Sequence, residues 1–405
     1  MNAHINHSLK NIAKHIPDNP EERLTPEMRR LLLSGKYRFD MHTHIFNRDY
    51  IPDKYFGIRI PFMVNAEFLE YVESMLDEVD TLEEDKLRYY AYFIDFASKN
   101  SMEQIVKYLI NNSASNTIFA AIAMDFVTSI DDKVKKGYKE QIRDLSKVRD
   151  KYPDIILPFL EINPNNPDAI HIFKEAFTKL GFFGIKVYPS LGYLPSHPLL
   201  MEIFEICEQK NIPVIAHCGV GQVHTSQNFP EIKYVEIDEN GKWHIRKQKK
   251  MFFFKNQFVK FFNKPQNWET VLRAFPNLRL NFAHMGGEDD WDGVAKTDRQ
   301  WTLRIFDFME RYPNVYADVS YILHRKEMPS LFRECYNNND IVKERALYGT
   351  DFYMITTEGK FKEMRMRFIS EVGSEIMKVI SVENPVRFLG LENLLKNGEN
   401  NKQDS

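Results

Sequence analysis

Short apolar runs alternate with amphipathic stretches along most of this chain. The runs fall at residues 36–42 (KYRFDMH), 118–124 (IFAAIAM), 155–161 (IILPFLE) and 183–188 (FGIKVY), then at 213–217 (PVIAH), 278–284 (LRLNFAH), 314–318 (NVYAD) and 345–350 (RALYGT). Each is short and rich in Ile, Val, Leu or aromatic residues, which predicts strands buried on both faces. Helical stretches separate most of them. Asn166 and Pro167 supply a cap and a first position, Ile170, Phe173, Phe177 and Leu180 form an apolar stripe, and Gly181 ends it. Ile142, Leu145, Val148 and Tyr152 mark one face of another helix. Strand and helix repeated about eight times point to an α/β fold, a closed (β/α)8 barrel. An open doubly wound sheet is the rival, but no GxGxxG follows any of the strands.

A minimal barrel takes about 250 residues, and this chain has 405. The expected organisation is an N-terminal extension over 1–35, a single barrel domain over 36–391, and a disordered polar tail over 392–405. Two insertions interrupt the barrel, at about 49–116 and 219–265. In the first, AEFLEYVESML, KLRYYAYFIDF and EQIVKYLI read as three helices. The second holds a hairpin over 236–245, around Asn240-Gly241, and an aromatic stretch in which Met251, Phe254, Phe258, Phe261 and Phe262 follow helical spacing. Phe252 and Phe253 fall off that stripe, which suits a lid or a subunit contact. Both insertions follow the carboxyl end of a strand, where a barrel carries its site.

Composition narrows the function. Lys+Arg 54 against Asp+Glu 57 leaves a net charge of −3, which argues against a nucleic-acid binder. Three cysteines without CxxC spacing exclude a disulfide framework and an all-thiolate zinc site. The first twenty residues have no continuous apolar core and no run approaches the ~18 apolar residues of a membrane span. The expectation is a cytoplasmic protein acting on a small molecule, free of membrane and nucleic-acid partners and open to homo-oligomer formation.

The candidate chemistry gathers at strand ends. His42 and His44 stand two apart, so on a strand they face the same side and can share one ion. His217 ends the fifth strand, His284 the sixth and Asp351 the eighth. A lone histidine at a strand end is usually an ordinary hydrogen-bonding residue; several such ends bearing imidazole or carboxylate suggest a metal site. Asp40 reads as a partner of a liganding imidazole or as a core aspartate. Glu161, Asp125 and Asp318 are weaker candidates, Cys218 a buried thiol, and His197 the cap of the helix after it.

These motifs, DMHTH (40–44), GIKVYPSLGYLP (184–195), IPVIAHCG (212–219), LNFAHMGG (280–287), YGTD (348–351) and ENPVRFLGL (383–391), resemble the amidohydrolase superfamily. The branch is that of the amidohydrolase-related, aminocarboxymuconate semialdehyde decarboxylase-like enzymes. The resemblance implies a barrel with one divalent metal ion, usually Zn2+, held by His42, His44, His217 and Asp351. It implies that His284 moves a proton and that Asp351 shares in this. Lys186 is the ambiguous residue: in binuclear relatives a carboxylated lysine bridges two metals, and otherwise Lys186 or Arg48 would hold a substrate carboxylate. The function implied is a metal-dependent hydrolase using an activated water on a small polar substrate. A metal-dependent decarboxylase acting on an unsaturated acid is the alternative, and a catalytically silent binding barrel the third. GTDFYM lacks the proline that many relatives carry after this aspartate, and the two insertions have no counterpart in shorter members.

Overall fold

The computed structural model describes residues 2–52, 54–55, 58–59, 92–130, 134–219, 231–249, 255–287 and 300–403. Eight parallel strands form one sheet in strict chain order: β1 Arg38–His44, β2 Thr117–Ile122, β3 Ile156–Glu161, β4 Gly184–Val187, β5 Val214–His217, β6 Leu280–Ala283, β7 Val315–Asp318 and β8 Ala346–Leu347. All eight predicted strands are present, most of them shorter than their apolar runs. Nearly every strand residue is buried, as expected where helices cover one face and the barrel interior the other.

Sheet closure is made by β1 and the segment following β8. Met41 N–H donates to Tyr348 O at 2.9 Å, Asp351 N–H donates to His42 O at 2.7 Å, and Thr43 bridges Phe352 in parallel. β1 also carries a register shift against β2 between Asp40 and Thr43. One additional residue there bends the strand and re-aims side chains beside a site, and His42 lies within it.

Apolar side chains of the helices seal the outside. Ile142, Leu145 and Val148 are buried on the helix Tyr138–Lys151, as the stripe predicts. The helix Ala169–Thr178 buries Phe173 and Phe177 but begins after Asn166 and Pro167. Asp168 takes the cap position, and Asn166 instead makes a turn ahead of the helix, its side chain accepting from Asp168 N–H at 2.9 Å and donating to Asp125 at 2.7 Å. Leu9, Ile12, Met28 and Leu32 of the first 35 residues join the same core.

In the insertions, the helix Met102–Asn111 matches EQIVKYLI, and a helix over 92–99 takes in the described end of KLRYYAYFIDF, residues 92–96. AEFLEYVESML lies outside the described residues, as do Met251 to Phe254 and the side chain of Phe258. The hairpin is present with longer arms than expected, Glu231–Ile237 paired to Trp243–Lys249. One expectation fails: the polar tail is helical over Glu392–Gln403. Leu394 and Leu395 pack against the core there and give the segment an apolar edge that offsets its Asn- and Gly-rich composition. No helix among the described residues is long and apolar enough to cross a membrane.

Candidate metal centre

The carboxyl ends of the strands bring His42, His284 and Asp351 together, each offering one ligand atom, all within 4.8 Å of one another. His44 is beside them, its Nε2 3.4 Å from Asp351 Oδ1. His217 reaches the group through His284, with Nδ1 3.1 Å from His284 Nε2. All five side chains are buried. The trio therefore contains His284, the histidine expected to move a proton, while His217, expected as a ligand, stands one ring further out.

Lys186, fully buried on β4, places Nζ 3.2 Å from His42 Nε2. Burial pushes this ammonium down to about 8, with Asp351, Asp318 and Glu161 opposing the shift. It is an interior residue of the group. Arg48 is also buried, in the turn Arg48–Tyr50 after β1, where its guanidinium donates to Ile51 O.

Asp318 at the end of β7 organises the imidazoles from beneath. It accepts from Asn281 Nδ2 at 2.6 Å, His284 N–H at 3.1 Å and Ser320 N–H at 3.0 Å, and it lies 3.3 Å from His42 Nδ1. Burial alone would raise this carboxyl, but His42, His284 and the Ser320 hydroxyl outweigh it and hold the group far below the usual carboxylate range. From its place at a strand end Asp318 ranks with Glu161 and Asp125, and nothing in the sequence singles out Ser320. The available signal was the strand-end position of Asp318 and the polar pair DVS around it.

Donors and acceptors fix one consistent set of tautomers. His42 Nδ1–H faces Asp318 and Ser320 Oγ, the latter at 2.9 Å, so His42 Nε2 carries the lone pair and receives Lys186. His284 Nδ1–H donates to Ser320 O at 3.0 Å, so His284 Nε2 accepts from His217 Nδ1–H. That leaves the lone pair on His217 Nε2, a buried atom with no hydrogen-bond partner; Asp351 Oδ1 is equally without one. His44 Nδ1 is likewise without a partner, and unpartnered atoms in a buried cluster of imidazoles and a carboxylate fit the donors a divalent cation takes.

Electrostatics keep these groups in ligand form. Burial, helped by the Lys186 charge, pushes His42 down to about 4, and burial beside His42 pushes His284 to about 3. His44 and His217 are likewise driven well below the ordinary histidine value by burial, by the neighbouring imidazoles and by Lys186. All four are neutral at pH 7. Burial pushes Asp351 well above the carboxylate range, with Lys186 opposing the shift.

Local backbone holds the arrangement. His284, Met285, Tyr321 and Asp351 have φ of 65°, 45°, 62° and 56°, left-handed values that non-glycine residues rarely adopt. β6 consequently stops at Ala283, and His284 opens a tight turn in place of ending the strand. Tyr188, after β4, stacks face to face on His217, ring centroids 3.9 Å apart and 11° between planes. Asp40 accepts from Thr350 N–H and Oγ1 and from His42 N–H, so it serves the backbone of the closing seam and not an imidazole. His197 caps the helix Pro198–Gln209 through Nδ1, as expected, and Cys218 is buried.

Solved structures similar to this chain include a TIM-barrel protein from Bordetella bronchiseptica, at 14% identity over 86% of this chain and 98% of that chain, with a TM-score of 0.49. A 2,6-dihydroxybenzoate decarboxylase from Rhizobium matches at 14% identity over 88% and 99%, with a TM-score of 0.49. A 5-carboxyvanillate decarboxylase from Novosphingobium aromaticivorans, solved with bound manganese, matches at 14% identity over 88% and 98%, also with a TM-score of 0.49. No curated protein sequence matches the chain. The amidohydrolase family profile matches residues 114–391, well over half of the chain and every barrel strand except β1, and the chain belongs to the amidohydrolase family.

Proposed function

We propose that this family member is a metal-dependent hydrolase that directs an activated water onto a small polar substrate. The observation that carries it is the buried cluster in which His42, His284 and Asp351 converge within 4.8 Å while His217 Nε2 and Asp351 Oδ1 lack partners. His42, His44, His217 and Asp351 would hold one divalent cation, with zinc suited to imidazole and carboxylate donors. When bound, such an ion supplies Lewis acidity, polarising a substrate oxygen and acidifying a water. His284 enters the reaction neutral, with Nδ1–H tied to Ser320 O, so Nε2, which accepts from His217 Nδ1–H, is the basic atom that would take and return a proton. Asp351, its carboxyl raised by burial, is the second proton-handling group. Asp318 keeps His42 in the tautomer that presents Nε2 to the centre.

One observation favours a second reading. Lys186 is a buried cation beside His42, suited to a substrate carboxylate, and Arg48 lies in the turn Arg48–Tyr50 after β1; both would serve a decarboxylase. Carboxylation of Lys186 would instead give a two-metal centre. Elemental analysis should find about one ion per chain for the first two readings and about two for the third. Cleavage of amides, esters or lactones supports the hydrolase, and CO2 release from unsaturated acids the lyase. His42→Ala should lose metal and activity together; full metal content in that variant would refute the ligand assignment.

A further inference from the structure

The second insertion ends in the helix Lys255–Asn263, and its last residue, Asn263, is fully buried. Both ends of its amide are used. Oδ1 accepts from the Ser190 backbone N–H at 2.9 Å, and Nδ2 donates to the Gly219 carbonyl at 3.0 Å. Ser190 stands two residues after Tyr188, and Gly219 two after His217. One side chain from the insertion thus joins the loop that begins at Tyr188 to the loop that follows His217 at the end of β5, beside their stacked rings.

The insertion is anchored beyond this amide. Val235 N–H of the hairpin donates to Ser196 O at 2.8 Å. Ile232 of the hairpin, Phe262 of the helix and Leu194 of the loop after β4 form their own apolar cluster. Asn267 Nδ2 holds the carbonyls of Phe261 and Phe262 at 2.7 and 2.9 Å, fixing the helix end that presents Asn263.

We propose that Asn263 is a positioning residue that sets the Tyr188–His217 stack, which makes the helix Lys255–Asn263 a fixed wall of the barrel mouth and not a hinged lid. Stacking of two rings is weak and laterally permissive on its own, so the relative position of the loops decides how the rings meet. A carboxamide offers a donor and an acceptor on one short planar group at any pH. Alanine removes the Asn263 partner of a buried N–H and of a buried C=O. Aspartate keeps the acceptor for Ser190 but, when ionised, sets a bare oxygen against the Gly219 carbonyl. Drift of Gly219 also reaches the proton-handling histidine, since a carbon on its Cα would stand 3.6 Å from His284 Cδ2.

The consequence for a cation rests on the proposed function, in which His217 is a ligand; the positioning itself does not. The test uses the full metal-free chain with histidine ring carbons labelled and the His217 ring-proton signal followed by NMR. A proton above a tyrosine face is shielded, so Tyr188→Leu marks the unstacked position. Asn263→Ala should move the signal downfield most of the way to that mark, and Asn263→Asp part of the way. A folded Asn263→Ala chain with an unmoved His217 signal overturns the proposal; if that variant does not fold, Asn263→Asp is judged by the same criterion. Zn2+ affinity, read by chelator competition, should fall roughly 10-fold in Asn263→Ala. A moved signal with unchanged affinity refutes His217 as a ligand and leaves the positioning role standing.

Discussion

Gly349 shows how tightly the closing seam and the candidate metal centre are joined. A Cβ at this position would lie 2.9 Å from His42 Cβ, 3.1 Å from Ser320 Cβ and 3.3 Å from His42 N. Carbon contacts are comfortable from ~3.5 Å, so Gly349→Ala is short by about 0.6 Å against His42. Neither side can yield freely, because Met41 N–H to Tyr348 O and Asp351 N–H to His42 O pin the two segments on either side of the clash. Overpacking of this kind costs about 1–3 kcal/mol. Metal–ligand distances tolerate only ~0.2 Å, so a displaced His42 should also lower Zn2+ affinity about 10- to 100-fold. Chelator competition and a thermal melt followed by circular dichroism measure the two effects. Gly35→Ala is the control: it has φ of 70° but nothing within 4 Å, so it should lower stability by about 1–2 kcal/mol and leave Zn2+ affinity alone. Wild-type affinity in Gly349→Ala would refute the reasoning, because it would mean the seam relaxes without moving His42.

Two further expectations follow from the same site. Asp318→Ala strands Asn281 Nδ2 and the His284 and Ser320 N–H groups and frees His42 to turn, so it should cost about 3–5 kcal/mol in denaturant unfolding; a loss under 1 kcal/mol would show that Asp318 does not organise the imidazoles. In the metal-free chain His42 and His197 are pushed to about 4 and His284 to about 3, chiefly by burial, while the unfolded chain titrates near 6.5. At these imidazoles the unfolded state therefore binds more protons below pH 6.5, and the stability they contribute is full above that value and falls as pH drops toward 4, by up to about 1.4 kcal/mol per pH unit for each histidine; Asp40, pushed up to about 7 by burial, acts in the opposite sense. The difference in urea midpoint between the chain and its His197→Asn variant isolates one imidazole, and a difference that stays constant between pH 7 and pH 4 would contradict this.

Much of the fold was legible because its cause is local. Strands covered on both faces must be continuously apolar, so IFAAIAM, IILPFLE and PVIAH announce themselves in any neighbourhood. The strand ends follow from those runs, and with them the positions of His42, His44, His217 and Asp351. Boundaries were less legible: β1 extends to His44, and β6 stops at Ala283, because a register shift in one and a left-handed residue in the other depend on neighbouring strands. The helical Glu392–Gln403 was missed for a related reason, since its composition is polar and only packing of Leu394 and Leu395 gives it a partner.

The sequence by itself therefore determined the alternation of strands and helices, the barrel they close and the residues set around its mouth. Tertiary structure alone decided how those residues meet. Asp318 lies 276 positions from His42, yet the two are 3.3 Å apart once β1 and the end of β8 close the cylinder. His284, not His217, stands with His42 and Asp351, and Asn263 ties a distant insertion to two loops. Periodicity reports which side of an element a residue occupies; which groups share a hydrogen bond, or a cation, is set by chain closure across hundreds of residues, and no local pattern encodes it.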